Sequence, residues 1–149
     1  MELPLHQYRY IDWKTPEEMH FSSLEWKSEI NFVKDEQKFL EHLLHTYCTG
    51  KLLPLINLHC SETIHQIKLS QKELKKLELK VNAHMQALRT FLEQAERIQS
   101  GRSYRQEHKA ILNDFALFSS QFKRLKKGIF HTLTTFIKSQ KQKNLTAGT

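Results

Sequence analysis

The sequence predicts an all-α protein, an antiparallel three-helix bundle in which helices two and three extend as a coiled-coil hairpin. Three observations predict this fold. Apolar residues recur every seven positions along most of the chain, 39% of the 149 residues are hydrophobic, and only four glycines and three prolines are present. Such a chain is apolar enough to form a buried core. The scarcity of turn residues argues against a β-sandwich or a β-barrel.

The first helix is predicted over residues 16–48. Thr15 is a suitable N-cap, Pro16 suits the first helical position, and Glu18 completes a capping box. An apolar heptad repeat then follows, formed by Met19, Trp26, Val33, Leu40 and Tyr47. Gly50 comes directly after this repeat, where a helix-ending glycine is common. These signals define one amphipathic helix with a single apolar stripe.

The second helix is predicted over residues 53–99 and has the most regular pattern in the chain. Its apolar heptad positions are Leu53, Cys60, Ile67, Leu74, Val81, Leu88 and Ala95. Pro54 falls in the first turn, where proline is tolerated. Because no glycine or proline follows until Gly101, this stretch is expected to form one unbroken rod.

The third helix is predicted over residues 103–140, after the Ser100-Gly101 break. Two apolar rows run along it, formed by Tyr104, Ile111, Phe118 and Leu125, and by His108, Phe115, Phe122, Ile129 and Phe136. Gly128 lies inside the helix, and a close approach of a neighbouring helix is the usual reason for such a glycine.

The predicted domain organisation is one bundle over residues 15–140, an N-terminal covering segment over 1–14 and a flexible basic tail over 141–149. Short connections make neighbouring helices antiparallel. Since helix one is the shortest, helices two and three are expected to pair alone near residues 88–98 and 104–115. The covering segment is expected to fold over this two-helix end.

A row of polar residues, here called the polar seam, is predicted inside the bundle and consists of Glu29, Glu36, His59, Thr63, Ser70 and Thr132. Antiparallel pairing places Glu29 and Thr132 beside Ser70, and Glu36 beside Thr63 with His59 one turn away. Polar layers of this kind commonly fix helix register. Two alternatives stay open: a carboxylate-lined site for a cation or small ligand, and simple exposure of an irregular helix face.

The sequence predicts neither a catalytic centre nor a bound metal or cofactor. Glu62 and His65 match one Glu-x-x-His element of di-iron bundles, but the second element is missing and both side chains are expected to point outwards. Cys60 is interpreted as a small buried hydrophobic residue. The glycines are isolated, so no phosphate-binding loop is expected. With no apparent signal peptide or membrane span, the expected location is the cytoplasm.

Charge is segregated along the chain. Residues 1–50 have a net charge of −4, whereas residues 115–149 contain seven basic residues and no acidic one. Antiparallel pairing is expected to form a lysine-rich surface, here called the basic belt, from Lys72, Lys75, Lys76, Lys80, Lys123, Arg124, Lys126 and Lys127. A basic surface of this kind can attract nucleic acid, an anionic membrane surface, or the acidic first helix of another copy.

The function expected from the sequence is therefore that of a non-enzymatic helical interaction or adaptor module, with a protein partner or a second copy as ligand. The expected anchors are the aromatic residues Trp26, Phe32, Phe39, Phe115, Phe118 and Phe122. Binding of nucleic acid or an anionic surface through the basic belt is the first alternative. A metal or small-ligand site at Glu29 and Glu36 is the second.

Overall fold

The computed structural model describes residues 14–48, 54–94 and 102–147, and these residues form a three-helix bundle. The helices are α1 (Pro16–Tyr47), α2 (Pro54–Glu93) and α3 (Arg102–Ala147). All three pack against one another, and no strand occurs in the described ranges. The predicted all-α class and three-helix architecture are confirmed.

The ends of α1 follow from its capping residues. The Thr15 side chain accepts a hydrogen bond from the Glu18 amide at 3.2 Å, as the capping box predicted. At the other end, the Cys48 amide donates to the Leu44 carbonyl oxygen at 2.8 Å. The middle helix, α2, continues without a break from Pro54 to Glu93, as its heptad repeat predicted.

The core lies along the predicted heptad positions. Ile30 of α1, Ile67 of α2 and Ile129 of α3 are each 0% exposed, so all three helices contribute fully buried residues. Burying such side chains stabilises the fold by about 1.5 to 3 kcal/mol each. Among the residues that the structure describes, no helix is both long and apolar enough to cross a membrane.

Two helix ends differ from the prediction. Helix α2 ends at Glu93, and the Gln94 amide donates to the Phe91 carbonyl oxygen at 3.3 Å in a tightened last turn. The rest of the predicted extension to residue 99 lies outside the described residues. Helix α3 continues to Ala147, through most of the predicted tail, because no glycine or proline lies between Gln140 and Gly148. Of the covering segment 1–14, only Lys14 is described.

The predicted register between α1 and α2 is wrong. Ser70 is hydrogen-bonded to Gln37 at 3.0 Å, eight residues along α1 from the expected Glu29. Cys48 and Cys60 form a disulfide, which fixes the C-terminal end of α1 beside the second turn of α2. Cys60 is 2% exposed, as its core position predicted, but the sequence interpretation did not foresee its bond to Cys48. The disulfide places the C-terminal end of α1 beside Cys60. Each residue of α1 therefore lies beside a later residue of α2 than the predicted pairing gave.

This register also corrects the predicted two-helix end. Trp26 stacks on His108 with ring centroids 4.3 Å apart, and its ring lies 6.3 Å from that of Phe115. Met19 and Ser23, near the start of α1, are 0% exposed. Helix α1 therefore covers α3 in the range 104–115, where α2 and α3 were expected to pair alone.

The opposite end of the bundle has an extension of α3. Tyr47, the last residue of α1, contacts the Phe136 ring with centroids 6.3 Å apart. Near the start of α2, Ile56 lines a shared cleft with Ser139. Residues 140–147 of α3 lie beyond these contacts and continue for about 12 Å.

Candidate functional site

The two carboxylates of the polar seam lie at the edge of the core. Lys126 Nζ of α3 donates a hydrogen bond to Glu36 Oε2 at 3.1 Å, and this ion pair neutralises the charge of Glu36. Glu29 is half-buried, and partial burial, assisted by the nearby Glu25 carboxylate, raises its pKa above the usual value. Neither carboxylate meets the seam residue that the predicted register assigned to it.

The buried polar residue at this level is Gln37, which the sequence interpretation missed. Gln37 is 2% exposed, and its Nε2 donates to Ser70 Oγ at 3.0 Å. Gln37 lies seven residues from Ile30 and from Leu44, which are both 0% exposed, so heptad spacing could have predicted its burial. Ser70 therefore does take part in a polar contact between helices, with a different partner.

Two other seam residues meet near the end of the bundle. Thr132 Oγ1 donates to the Gly128 carbonyl oxygen at 2.9 Å and lies 2.8 Å from His59 Nε2. Because the single hydroxyl proton goes to Gly128, the ring N–H of His59 donates to Thr132. Thr63 instead donates to the His59 carbonyl oxygen at 2.8 Å, within α2.

Gly128 does not mark a close helix approach. An added Cβ there would meet nothing within 4 Å, so the sequence-based reason for this glycine is wrong. The residue is exposed and its carbonyl accepts the Thr132 hydroxyl. Nothing in the structure explains the absence of a side chain.

The basic belt is not assembled as predicted. Lys80 pairs with Asp114 of α3 at 2.9 Å, and Lys76 pairs with Glu73 at 3.1 Å. Lys123 lies nine residues beyond Asp114, about 14 Å further along α3. Within the described ranges, the belt residues without an ion pair are Lys72, Lys75, Lys123, Arg124 and Lys127. Because Lys80 lies beside Asp114 and not beside the α3 bases, the predicted α2–α3 register is wrong as well, and the observed register separates the α3 bases from Lys76 and Lys80.

The largest fully buried polar side chains in the described ranges form a histidine pair, His84 of α2 and His108 of α3. Their rings share a hydrogen bond, with His84 Nε2 and His108 Nδ1 2.9 Å apart, and both residues are 0% exposed. Trp26 stacks on His108 from α1, so all three helices meet here. A Glu107 carboxylate oxygen lies 3.3 Å from His84 Nδ1, without hydrogen-bond alignment.

The histidine pair is held in the neutral form. Burial lowers the pKa of His84 despite the Glu107 carboxylate. Burial, with smaller contributions from His84 and Lys14, lowers the pKa of His108 to about 3. The proton between the rings is best placed on His108 Nδ1, because His84 Nδ1 then carries the hydrogen that faces Glu107.

This geometry suits a structural polar contact better than a catalytic one. Both imidazoles are inaccessible to solutes in the folded chain. Within the described ranges, no group of three or more histidine, cysteine, aspartate or glutamate residues is arranged to hold a metal ion. His84 and His108 occupy heptad positions, so their burial could be predicted from spacing, whereas their contact depends on the α2–α3 register.

The aromatic residues predicted as anchors divide into two groups. Buried in the core are Trp26, Phe115, Phe118 and Phe122. Exposed on α1 are Phe32 and Phe39, at 65% and 59%. The buried group cannot reach a partner, because these side chains pack between the helices.

Comparison of this chain with protein-family models, with curated proteins and with solved structures finds no match. The fold places the chain among all-α three-helix bundles, and a bundle architecture does not define a function. The functional conclusion therefore depends on the surfaces and contacts described above.

Proposed function

We propose that this protein is a non-enzymatic helical interaction module that binds a helix of a partner protein on the outer surface of α1. The observation that supports the proposal is the exposure of three phenylalanines on one helix. Phe21, Phe32 and Phe39 are 63%, 65% and 59% exposed. These side chains make no contribution to the buried core, and their arrangement in a row forms an apolar surface that a partner can cover.

The three phenylalanines lie on one side of α1. Six exposed residues follow one another at helical spacings of four and three and are here called the phenylalanine face: Phe21, Glu25, Ser28, Phe32, Asp35 and Phe39. Residues spaced in this way align along a helix surface. The face extends over eighteen residues, about 27 Å.

A helix is the partner element that this face fits. An extended apolar row on a helix accepts another amphipathic helix through residues at similar spacing. Each buried aromatic side chain removes about 150 to 250 Å² from water, which makes phenylalanine an effective interface anchor. The carboxylates of Glu25 and Asp35 favour a partner helix with lysine or arginine beside its apolar row.

The two sequence-based alternatives have less support. Lys76, Lys80 and Lys126 are paired with carboxylates of this chain, which weakens a continuous nucleic-acid-binding belt. A cation site at Glu29 and Glu36 is disfavoured because Lys126 already neutralises Glu36.

The cytoplasmic location expected from the sequence stays a proposal, and the disulfide is an argument against it. Disulfides persist mainly in oxidising compartments such as the periplasm or the cell exterior. The Cys48–Cys60 bond therefore favours such a compartment.

The proposed function is tested by comparing two surface variants in partner capture from the native cell. The double substitution Phe32→Ser and Phe39→Ser is expected to abolish capture of a specific protein that the unmodified chain retains. Leu69→Ser with Leu79→Ser is the matched control, because these leucines are exposed on α2 at 46% and 61%. The captured protein is then purified and its binding measured directly. Equal binding by all three chains, or no partner at all, contradicts the proposal.

A further inference from the structure

We infer that the partner helix is α3 of a second copy of this chain, whose outer surface is complementary to the phenylalanine face. This inference rests on the proposed function and names its ligand. It depends on a second exposed stripe, which lies at the C-terminal half of α3 and carries the opposite charge.

The stripe on α3 has the same construction as the phenylalanine face. Its exposed residues follow one another three or four positions apart and are here called the basic face: Lys123, Lys127, Phe130, Thr134, Ile137, Lys141 and Leu145. Phe130, Ile137 and Leu145 are 51%, 38% and 73% exposed. The apolar side chains therefore follow two lysines and flank a third along one side of the helix.

The two faces match in spacing. Phe32 and Phe39 are seven residues apart, and so are Phe130 and Ile137. The basic face, from Lys123 to Leu145, is about 33 Å long and is therefore long enough to cover the phenylalanine face of about 27 Å. When two helices lie side by side, such equal spacing lets successive apolar residues meet at the same levels.

The charges of the two faces are complementary. Helix α1 contains seven carboxylates against three lysines, whereas α3 has no acidic residue from Phe115 onwards. In the described ranges, Lys123, Lys127 and Lys141 make no ion pair, and neither does Asp35. The pairing would bring unsatisfied charges of opposite sign together around an apolar row, which favours α3 over an uncharged helix.

The two faces of one copy do not cover each other, because Phe32, Phe39 and Phe130 are 65%, 59% and 51% exposed in the folded chain. Ile30 of α1 and Ile129 of α3 point into the shared core, and the exposed faces lie on the outer sides of the same helices. Contact therefore requires a second molecule. Because the contact joins different surfaces, it either occurs twice across the two-fold axis of a dimer or continues from copy to copy in a ring or an open chain.

The experiment is sedimentation of the purified full-length chain over a wide concentration range, at low and high salt. Self-association is expected to increase with concentration and to weaken at high salt, because opposite charges are screened. Lys127→Glu with Lys141→Glu is expected to weaken association about tenfold or more. Phe32→Ser with Phe39→Ser is expected to do the same.

A matched control separates the basic face from net charge. Lys72→Glu with Lys75→Glu makes the same charge change on exposed positions of α2 and is expected to leave association unchanged. Circular dichroism and thermal unfolding confirm that each variant is folded. An equal loss in this control overturns the assignment to the basic face.

Mixing the two defective variants provides the sharpest test. The lysine variant keeps an intact phenylalanine face, and the phenylalanine variant keeps an intact basic face. Their mixture is expected to form a 1:1 complex that does not grow further, although each variant alone is monomeric. Failure of the mixture to associate overturns the inference.

The remaining outcomes distinguish this inference from the proposed function. A monomer at every concentration that still binds another protein through Phe32 and Phe39 overturns the inference and leaves the function in place. Binding of monomers to vesicles of anionic lipid, lost in the Lys127→Glu and Lys141→Glu variant, overturns it in favour of a membrane surface. If the unmodified chain shows neither self-association nor partner capture, both proposals are rejected.

Discussion

His84 Nε2 and His108 Nδ1 lie 2.9 Å apart in a part of the core that is closed to solvent. Two side chains that usually carry charge near pH 6 thus share one hydrogen bond in an apolar environment. The folded state requires both rings to be neutral, because Glu107 would only partly compensate a positive charge at this position.

The first prediction concerns the stability of the protein in acid. Burial lowers the pKa of His84, and it lowers that of His108 to about 3, so below pH 6.5 the unfolded chain binds protons that the folded chain does not. The free energy of unfolding therefore has its full value above pH 6.5 and decreases as the pH is lowered towards 3. Between pH 7 and pH 5, His108 alone is expected to reduce the free energy of unfolding by roughly 2 kcal/mol.

Urea unfolding at pH 7 and pH 5 measures this effect. The variant His42→Gln with His45→Gln removes two exposed histidines and is expected to keep the full acid sensitivity. The variant His84→Gln with His108→Gln is expected to lose most of it. Identical pH dependence in all three proteins would show that the buried pair does not titrate as described.

The second prediction concerns the buried contact between Gln37 and Ser70. Replacing Ser70 by alanine leaves the Gln37 amide buried without its partner and is expected to cost about 1 to 3 kcal/mol. Adding Gln37→Leu removes the orphaned group, so the double variant is expected to be more stable than Ser70→Ala alone. Chemical unfolding of the four proteins in this cycle measures the coupling. Strictly additive effects contradict the assigned contact.

The third prediction concerns the Cys48–Cys60 disulfide. Reduction, or replacement of both cysteines by serine, is expected to lower the free energy of unfolding by about 2 to 3 kcal/mol. Without the bond, the loop between α1 and α2 is no longer closed in the unfolded chain, which therefore gains conformational entropy. The measurement is urea unfolding with and without reductant. The serine variant is the control, because reductant has no bond to break there. Alkylation of both cysteines in the unreduced native protein contradicts the bond.

The fourth prediction concerns Gly128. Its added Cβ would meet nothing, and glycine inside an exposed helix is less favourable than alanine by about 1 kcal/mol. Gly128→Ala is therefore expected to raise the unfolding temperature. The reverse substitution Ala110→Gly, at an exposed position of the same helix, is the matched control and is expected to lower it. A destabilising Gly128→Ala substitution points to an unrecognised contact at this position.

Local signals determined the helices of this protein. Thr15 caps α1 and the unbroken heptad repeat produces α2, because both effects act within a few turns of one helix. The burial of His84 and His108 was also accessible from their heptad positions. These features depend on neighbours in the sequence, and the sequence alone was enough to predict them.

Only the tertiary structure determined the axial register between the helices. A heptad pattern repeats every seven residues, so a shift by about one repeat still buries an apolar stripe, and the sequence could not exclude it. The Cys48–Cys60 bond and the Gln37–Ser70 contact select one of these registers. The packing of α3 against this pair then placed Lys126 beside Glu36, His108 beside His84, and Asp114 beside Lys80, which divided the basic belt.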